Sequence, residues 1–344
     1  MQTSAKDVKL VALDKMCSYY MIDVIKFICC FMVLTIHIAP FSADSFSMAK
    51  YFNFGLQKYL CRLAVPFFFA CSGFFLFRKM GGLQVQWDTV KAYCWKMVRL
   101  LGIWSIVLAS TETYHLWYLG GAVVAILLLC LLLRFRIKPV MMVMMALSLY
   151  VIGLFGDAYY GVLEPLREFR PFDLAVKGYE YLFANTRNGV FMGFLFVLIG
   201  ALFASGKIRI NTVIAAAGFS ISMLCLFAEV FVLQRLDIPK DYNFYVFLVP
   251  AVFFLFAFAV NFQSVKEGRT QFLKHLRSTG VLIWMLHLLV YRVIMLSLAA
   301  LNKCGLDLRS YRYVFTVLGC VAVALCIAWA SSKEKMKWLK ILYS

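Results

Sequence analysis

Residues 19–40 read YYMIDVIKFICCFMVLTIHIAP, an apolar run long enough to cross a bilayer as one α-helix. Eleven positions separate Lys26 from His37. A helix turns about 100° per residue, so both side chains share one face, roughly 16 Å apart along the axis. Ionisable groups are costly in hydrocarbon unless they face the bundle interior or a water-filled cavity. We therefore expect Lys26 and His37 to line one interior pocket and to carry the chemistry.

The composition predicts an all-α integral membrane protein. Of 344 residues, 63% are hydrophobic and 15% are charged, against roughly 25% charged in soluble domains. The net charge of +18 comes from basic clusters between apolar runs, a pattern typical of membrane topology. The sequence shows no nucleic-acid-binding motif, so nucleic acid is not an expected partner; the lipid bilayer is.

Apolar runs predict about ten transmembrane helices in a single membrane domain, residues 19–331. A cytoplasmic segment, 1–18, precedes it, and a basic cytoplasmic tail, 332–344, follows it. The predicted spans are 19–39, 59–77, 97–113, 116–133, 139–156, 188–205, 211–234, 243–261, 279–300 and 313–331. With both termini in the cytoplasm, inner segments hold 21 of the 35 Lys and Arg and outer segments hold 12, which favours this orientation. The outer segment 157–187 suits an interfacial helix or a lid.

The first span offers an ordinary and a functional interpretation. Asp23 and Lys26 are three residues apart and can pair on one helix face, and Lys26 can snorkel to the interface. His37 lies deeper in the membrane. There it serves equally well as an interhelical hydrogen-bonding group or as a proton acceptor.

Further polar groups recur at the ends of other spans. Lys96 and Arg99 share a face of one helix, either as topology anchors or as a phosphate clamp. Glu229 lies inside a span without an evident role. The remaining candidates are Arg62, His115, Trp117, Arg187 and His287. Because His37, His115 and His287 are scattered along the sequence, no metal site is predicted.

Together these motifs resemble the acyltransferase 3 family. They are Asp23-x2-Lys26-x10-His37, Arg62-x3-Pro66-x-Phe-Phe-x2-Ser72-Gly73, Lys96-x2-Arg99, His115-Leu-Trp117 and Trp284-x2-His287. The phrases VPFFF, HLWYLG and TRNGVF are especially similar to the membrane half of the vancomycin-resistance serine racemases. Four positions depart from the family pattern. Lys26 and Lys96 stand where Arg is usual, Gly280 stands where Ser is common, and Trp284 stands where Tyr is common.

The resemblance implies an acyltransferase-3-like bundle in a bacterial cytoplasmic membrane. It also implies transfer of an acyl group, usually acetyl, from cytoplasmic acyl-CoA to a hydroxyl of an envelope glycan or a polyprenyl-linked sugar. Of the three catalytic residues implied, His37 would be the general base or the nucleophile. Lys26 would hold the donor or the developing oxyanion, and Asp23 would orient Lys26. Lys96 and Arg99 would hold the CoA phosphates, with Arg62 a further partner near His37. His115, Trp117, Arg187 and His287 would contact the acceptor.

Two other functions remain open at this point. One is transport of a small amino acid such as L-serine, because intramembrane charges also mark substrate paths. The other is a membrane scaffold without chemistry, in which Lys26 and His37 tolerate apolar replacement. The resemblance also leaves open whether a separate extracytoplasmic transferase completes the reaction.

Overall fold

The computed structural model describes residues 19–42, 48–109, 111, 113–183, 185–263 and 267–344. The predicted cytoplasmic segment 1–18 lies outside these residues. The helices are α1 Tyr20–His37, α2 Ala49–Lys79, α3 Trp87–Val107, α4 Trp117–Arg134, α5 Pro139–Phe155, α6 Arg170–Phe183, α7 Gly189–Ala204, α8 Thr212–Leu236, α9 Leu248–Val260, α10 Glu267–Lys303 and α11 Arg312–Ala330. The predicted all-α class is confirmed for the described part of the chain, which contains no strand.

Among the residues the structure describes, six helices are long and apolar enough to cross a membrane: α1, α2, α4, α8, α10 and α11. A seventh span results if α5 is counted together with the 3-10 helix Tyr160–Glu168, bent 74° away from it. Helices α7 and α9 are apolar but shorter. The helix predicted over 97–113 instead begins at Trp87 and carries four charged residues in its first 13 positions. Six to seven spans are therefore supported, and the number ten is not confirmed.

The bundle is held together by a close crossing of α2 and α7. A Cβ atom on Gly73 would lie 2.0 Å from the carbonyl oxygen of Val197, and one on Gly200 would lie 1.9 Å from that of Ala70. Each glycine therefore admits the backbone of the opposite helix, which is how small residues allow close packing in membranes. Gly73, the last residue of the motif that begins at Arg62, thus lies at a close helix contact.

Helix α2 is irregular where it passes the end of α1. A π-helical turn, Gly55–Tyr59, is followed by a 3-10 turn, Leu60–Leu63. Pro66 has no N–H to donate to the carbonyl of Arg62, so the regular hydrogen-bond ladder cannot continue through this point. Such irregular turns frequently occur at functional sites. Here they turn the Arg62 side chain into the bundle, where it is buried.

Helix α1 packs between α2 and α10. Near its start, the buried Asp23 accepts two hydrogen bonds from Arg277 of α10, from Nε at 2.8 Å and from Nη2 at 2.6 Å. One turn further along both helices, a Cβ atom on Gly280 would meet Cys30 Sγ and Phe27 Cδ2, each at 3.3 Å. A serine at position 280 would therefore crowd this contact, which gives a packing reason for the glycine found there.

Glu229 has a structural role in α8. Its carboxylate accepts hydrogen bonds from the Tyr159 hydroxyl at 2.6 Å, from the Val246 amide at 2.6 Å and from the Phe247 amide at 2.9 Å. The two amides precede α9, whose first N–H groups have no partner within the helix. The buried carboxylate of Glu229 thus caps the start of the neighbouring helix α9.

Candidate functional site

The C-terminal end of α1 is fixed by Gln57 from the π-helical turn of α2. Its side-chain amide donates to the carbonyls of Thr35 at 2.9 Å and Ile36 at 3.2 Å. These are among the carbonyls that a helix end leaves without partners. The same residue accepts, through its backbone carbonyl, a 2.8 Å hydrogen bond from Nε of Arg62. One residue therefore positions both His37, the last residue of α1, and Arg62.

His37 lies in a small pocket between α1, α2, α4 and α10, here called the His37 pocket. Its volume is about 50 Å³. The polar and aromatic residues that line it are His37, Arg62, His115, Trp117, Tyr118, Arg187, Asn243 and Trp284. His37 thus faces the interior of the bundle. Four of the residues predicted to contact the donor or acceptor (Arg62, His115, Trp117 and Arg187) share this pocket with it.

Three histidines that are far apart in sequence meet here. The ring of His37 stacks on that of His287, with centroids 5.2 Å apart. The His115 ring lies 4.8 Å from His287 and 6.3 Å from His37, edge-on to both. No set of three His, Cys, Asp or Glu side chains among the residues the structure describes is arranged to hold a metal ion. The three imidazole rings pack against one another, two of them stacked and the third edge-on.

The hydrogen bonds of the histidines determine which nitrogen can accept a proton. Nδ1 of His287 lies 2.7 Å from the carbonyl oxygen of Trp284. A carbonyl only accepts, so Nδ1 carries the hydrogen and the neutral ring keeps its lone pair on Nε2. Nε2 of His287 is buried, and no hydrogen-bond partner for it lies among the described residues. Buried polar atoms of this kind call for an explanation, and a bound polar group provides one.

Two arginines converge on the amide oxygen of Asn243. Nη1 of Arg62 donates to Asn243 Oδ1 at 2.5 Å, and Nη1 of Arg187 donates to the same oxygen at 3.4 Å. Arg187 also lies over the ring of Trp117, 5.6 Å from its centroid. Asn243 is held by Asp157, which accepts from its backbone N–H and its side-chain amide. Asn243 is a site residue that the sequence motifs did not indicate.

A second, larger cavity of about 630 Å³ surrounds Lys26, and we call it the Lys26 cavity. Five basic side chains line it, from α1, α2, α3 and α10: Lys26, Lys79, Lys96, Lys274 and Arg277. Its lining contains a single acidic residue, Asp23, already paired with Arg277. The positive charge that remains favours a ligand with several negative charges. Lys79, Lys274 and Arg277 were read from sequence only as charges between spans.

Three expectations about these residues are wrong. Lys26 and His37 do not line one pocket, since each belongs to a different cavity. Asp23 does not pair with Lys26, because both of its oxygens are taken by Arg277. Arg99 does not join Lys96 in the cavity wall; it donates instead to the backbone carbonyl of Ser344.

The two cavities are adjacent and share part of their walls. Phe68, Tyr118 and Trp284 line both, and we call these three residues the aromatic wall. The Tyr118 hydroxyl is held by Ser72 Oγ at 2.8 Å and by the Phe68 carbonyl at 3.1 Å. The Tyr118 and Trp284 rings pack edge-on with centroids 5.7 Å apart. The aromatic wall thus borders both the Lys26 cavity and the pocket of His37 and His115.

The fold and the site define a helical membrane protein with a basic cavity that abuts a buried histidine pocket. Residues 19–110 match the sequence model of a family described as an acyltransferase domain, acyltransferase 3. This match covers α1, α2 and α3, and hence Lys26, His37, Arg62 and Lys96. The resemblance to the acyltransferase 3 family that the motifs predicted is confirmed.

Curated relatives carry the names of racemases. An amino-acid racemase of Enterococcus faecalis is 30% identical over 273 residues, which are 73% of this chain and 37% of the relative. A serine/alanine racemase of Enterococcus gallinarum is 28% identical over 253 residues, 66% of this chain and 35% of the relative. The chain therefore spans little more than a third of the length of these two relatives. No solved structure matches.

Proposed function

We propose that this protein is a membrane acyltransferase that moves an acyl group, acetyl in the simplest case, from acyl-CoA to a hydroxyl. The observation that supports this most directly is the basic Lys26 cavity beside the histidine pocket. CoA carries several phosphate charges and a long neutral arm that ends in the thioester. The lysines would bind the phosphates, and the arm would extend toward the aromatic wall.

The transfer itself would take place at the His37 pocket. A neutral imidazole of His37 accepts the proton of the acceptor hydroxyl while the hydroxyl oxygen attacks the thioester carbonyl carbon. The carbon–sulfur bond then breaks, and the departing CoA thiolate takes up the proton. His287 lies against the His37 ring and would hold its orientation. In this scheme the Lys26 cavity opens toward the cytoplasm, and an envelope glycan or a polyprenyl-linked sugar is the acceptor implied by the family.

Lys26 has a narrower role than the motif suggests. An oxyanion is stabilised by donors about 3 Å away, whereas roughly 16 Å of helix separates Lys26 from His37. Lys26 therefore belongs with the donor-binding lysines and not with the oxyanion formed near His37. Its ammonium lies 5.6 Å from the ring centroid of Phe75, on the wall of the cavity that would hold the CoA arm.

Binding of acetyl-CoA to the purified protein in lipid nanodiscs tests the donor site. We expect Lys96→Gln to weaken binding by about tenfold, since a charge-assisted bond to a phosphate is lost. Lys91→Gln is the matched control, because Lys91 is exposed on the same helix and does not line the cavity. Equal affinities for the two variants, or no acetyl-CoA binding by the wild type, would contradict the assignment.

Transport of a small amino acid is a second candidate function. Ionisable groups inside the membrane, such as those that line the two cavities, also mark substrate paths, and the relatives described above are named as racemases of amino acids. Counterflow of labelled L-serine in proteoliposomes distinguishes the two functions. Uptake in the absence of acyl-CoA supports transport, and acetyl-CoA-dependent product formation without uptake supports the acyltransferase.

A further inference from the structure

The charges of the His37 pocket are not balanced by contacts within it. Arg62 is 8% exposed, and of its five N–H donors two are engaged, by the Gln57 carbonyl and by the Asn243 amide oxygen. Both acceptors are neutral. A buried guanidinium normally has a carboxylate in contact with it. The carboxylates of Asp241 and Asp157 are near enough to act on Arg62 through their charge, but neither forms an ion pair with it within the described residues.

Arg187, from another part of the chain, also contacts neutral groups in the pocket. It contacts Asn243 Oδ1 and the face of the Trp117 ring, and both groups are neutral. The nearby carboxylate of Asp157 accepts hydrogen bonds from the backbone N–H and the side-chain amide of Asn243. It also accepts one from the Phe244 amide. Asp157 thus orients the amide and does not contact the guanidinium groups. Because both arginines donate to the Asn243 oxygen, their guanidinium groups lie next to each other in the pocket wall.

The size of the pocket restricts what can sit between them. About 50 Å³ exceeds the roughly 30 Å³ that one water molecule occupies in the liquid, so the pocket has room for the polar end of a ligand and not for a large acceptor as a whole. A carboxylate is a compact, planar anion, and its geometry matches the fork of a guanidinium. The imidazoles of His37 and His115 also line this pocket.

We propose that the His37 pocket binds an acceptor that bears a carboxylate beside its hydroxyl, with Arg62 and Arg187 on the carboxylate and His37 facing the hydroxyl. This assignment rests on the proposed acyl transfer and narrows the acceptor to hydroxycarboxylates, either free or at the end of a larger molecule. Asn243 and Asp157 are positioning residues, since they act through the two arginines.

A binding measurement without any acyl donor tests the proposal independently of catalysis. The probes are L-lactate, a hydroxycarboxylate, and 1,2-propanediol, which has the same carbon skeleton with a neutral group in place of the carboxylate; inorganic phosphate is the third. Thermal unfolding of the purified protein in nanodiscs is followed as each probe is titrated, because a ligand of the folded state raises the midpoint. We expect lactate to stabilise the protein and propanediol to have no effect.

The variant Arg187→Gln tests whether lactate binds in the His37 pocket. Arg187 is only half-buried, so this variant is expected to fold, and its affinity for lactate should fall by about tenfold to a hundredfold. Arg235→Gln, at an exposed position of α8, should bind lactate like the wild type.

Three results would overturn the proposal: equal stabilisation by lactate and propanediol, stabilisation by phosphate alone, or unchanged lactate binding in Arg187→Gln. A protein that binds lactate in this pattern but transfers no acyl group would instead contradict only the acyltransferase function.

Discussion

At the scale of single residues, the pair Asp23–Arg277 replaces the local pair that the sequence suggested. Asp23 and Lys26 are three apart on one helix, and such neighbours often interact. Arg277 lies 254 positions away, and its planar fork meets both carboxylate oxygens, which a single ammonium group cannot do. A partner on another helix cannot be read from one sequence. The basic residues at 266–277 carried no sign that one of them points inward.

Removing this pair should destabilise the protein measurably. Asp23 is almost completely buried, whereas the Arg277 side chain is 44% exposed. Asp23→Asn therefore leaves a guanidinium that water can partly reach. We expect a loss of about 1–3 kcal/mol in the free energy of unfolding, measured by denaturant or thermal unfolding in nanodiscs.

The exposed pair Asp307–Arg309 provides the control for that measurement. Both of its side chains are more than half exposed, so Asp307→Asn should cost less than about 1 kcal/mol. If the two substitutions have the same effect, Asp23 does not hold α1 against α10 in the way described.

At the scale of the helices, the sequence patterns predicted where residues lie along a helix better than how the helices pack against one another. The eleven-residue spacing correctly placed Lys26 and His37 on α1, which runs to His37. It could not show that the aromatic wall divides the space beside α1 into two cavities. Phe68, Tyr118 and Trp284 come from α2, α4 and α10, and their meeting depends on how these helices cross.

The crossing of α2 and α7 should tolerate no added side-chain atom. Gly73→Ala places a methyl group 2.0 Å from the carbonyl oxygen of Val197, so the backbones must move apart. Overpacking of this kind costs about 1–3 kcal/mol or more. We expect a lower midpoint of thermal unfolding and a lower yield of folded protein.

Gly102→Ala in α3 is the matched substitution, because nothing lies within 4 Å of an added Cβ atom there. Alanine favours the helix by about 1 kcal/mol relative to glycine, so this variant should be as stable as the wild type or more stable. A Gly73→Ala protein with an unchanged midpoint would show that α2 and α7 are less closely packed than described.

At the scale of the whole molecule, the fold brings together three histidines that lie on separate segments. His37 ends α1, His115 precedes α4 and His287 lies in α10. From their spacing alone they looked unrelated, and only the packing of α10 against α1 brings the rings within stacking distance. The class of fold and the family motifs were predictable because they depend on composition and local order. The pairing of charges and the division of the interior were not, because they depend on contacts between helices.

The central claim is that His37 accepts the acceptor's proton in an acyl transfer fed by a donor in the Lys26 cavity. The most direct measurement is acetyl-CoA-dependent acylation of a hydroxyl acceptor by the purified protein in nanodiscs, comparing wild type with His37→Ala. His275→Ala is the control, since His275 is exposed and lines neither cavity. We predict that His37→Ala folds like the wild type, still binds acetyl-CoA and loses transfer by about a hundredfold or more, while His275→Ala retains it. Transfer by His37→Ala at the wild-type rate would contradict the account.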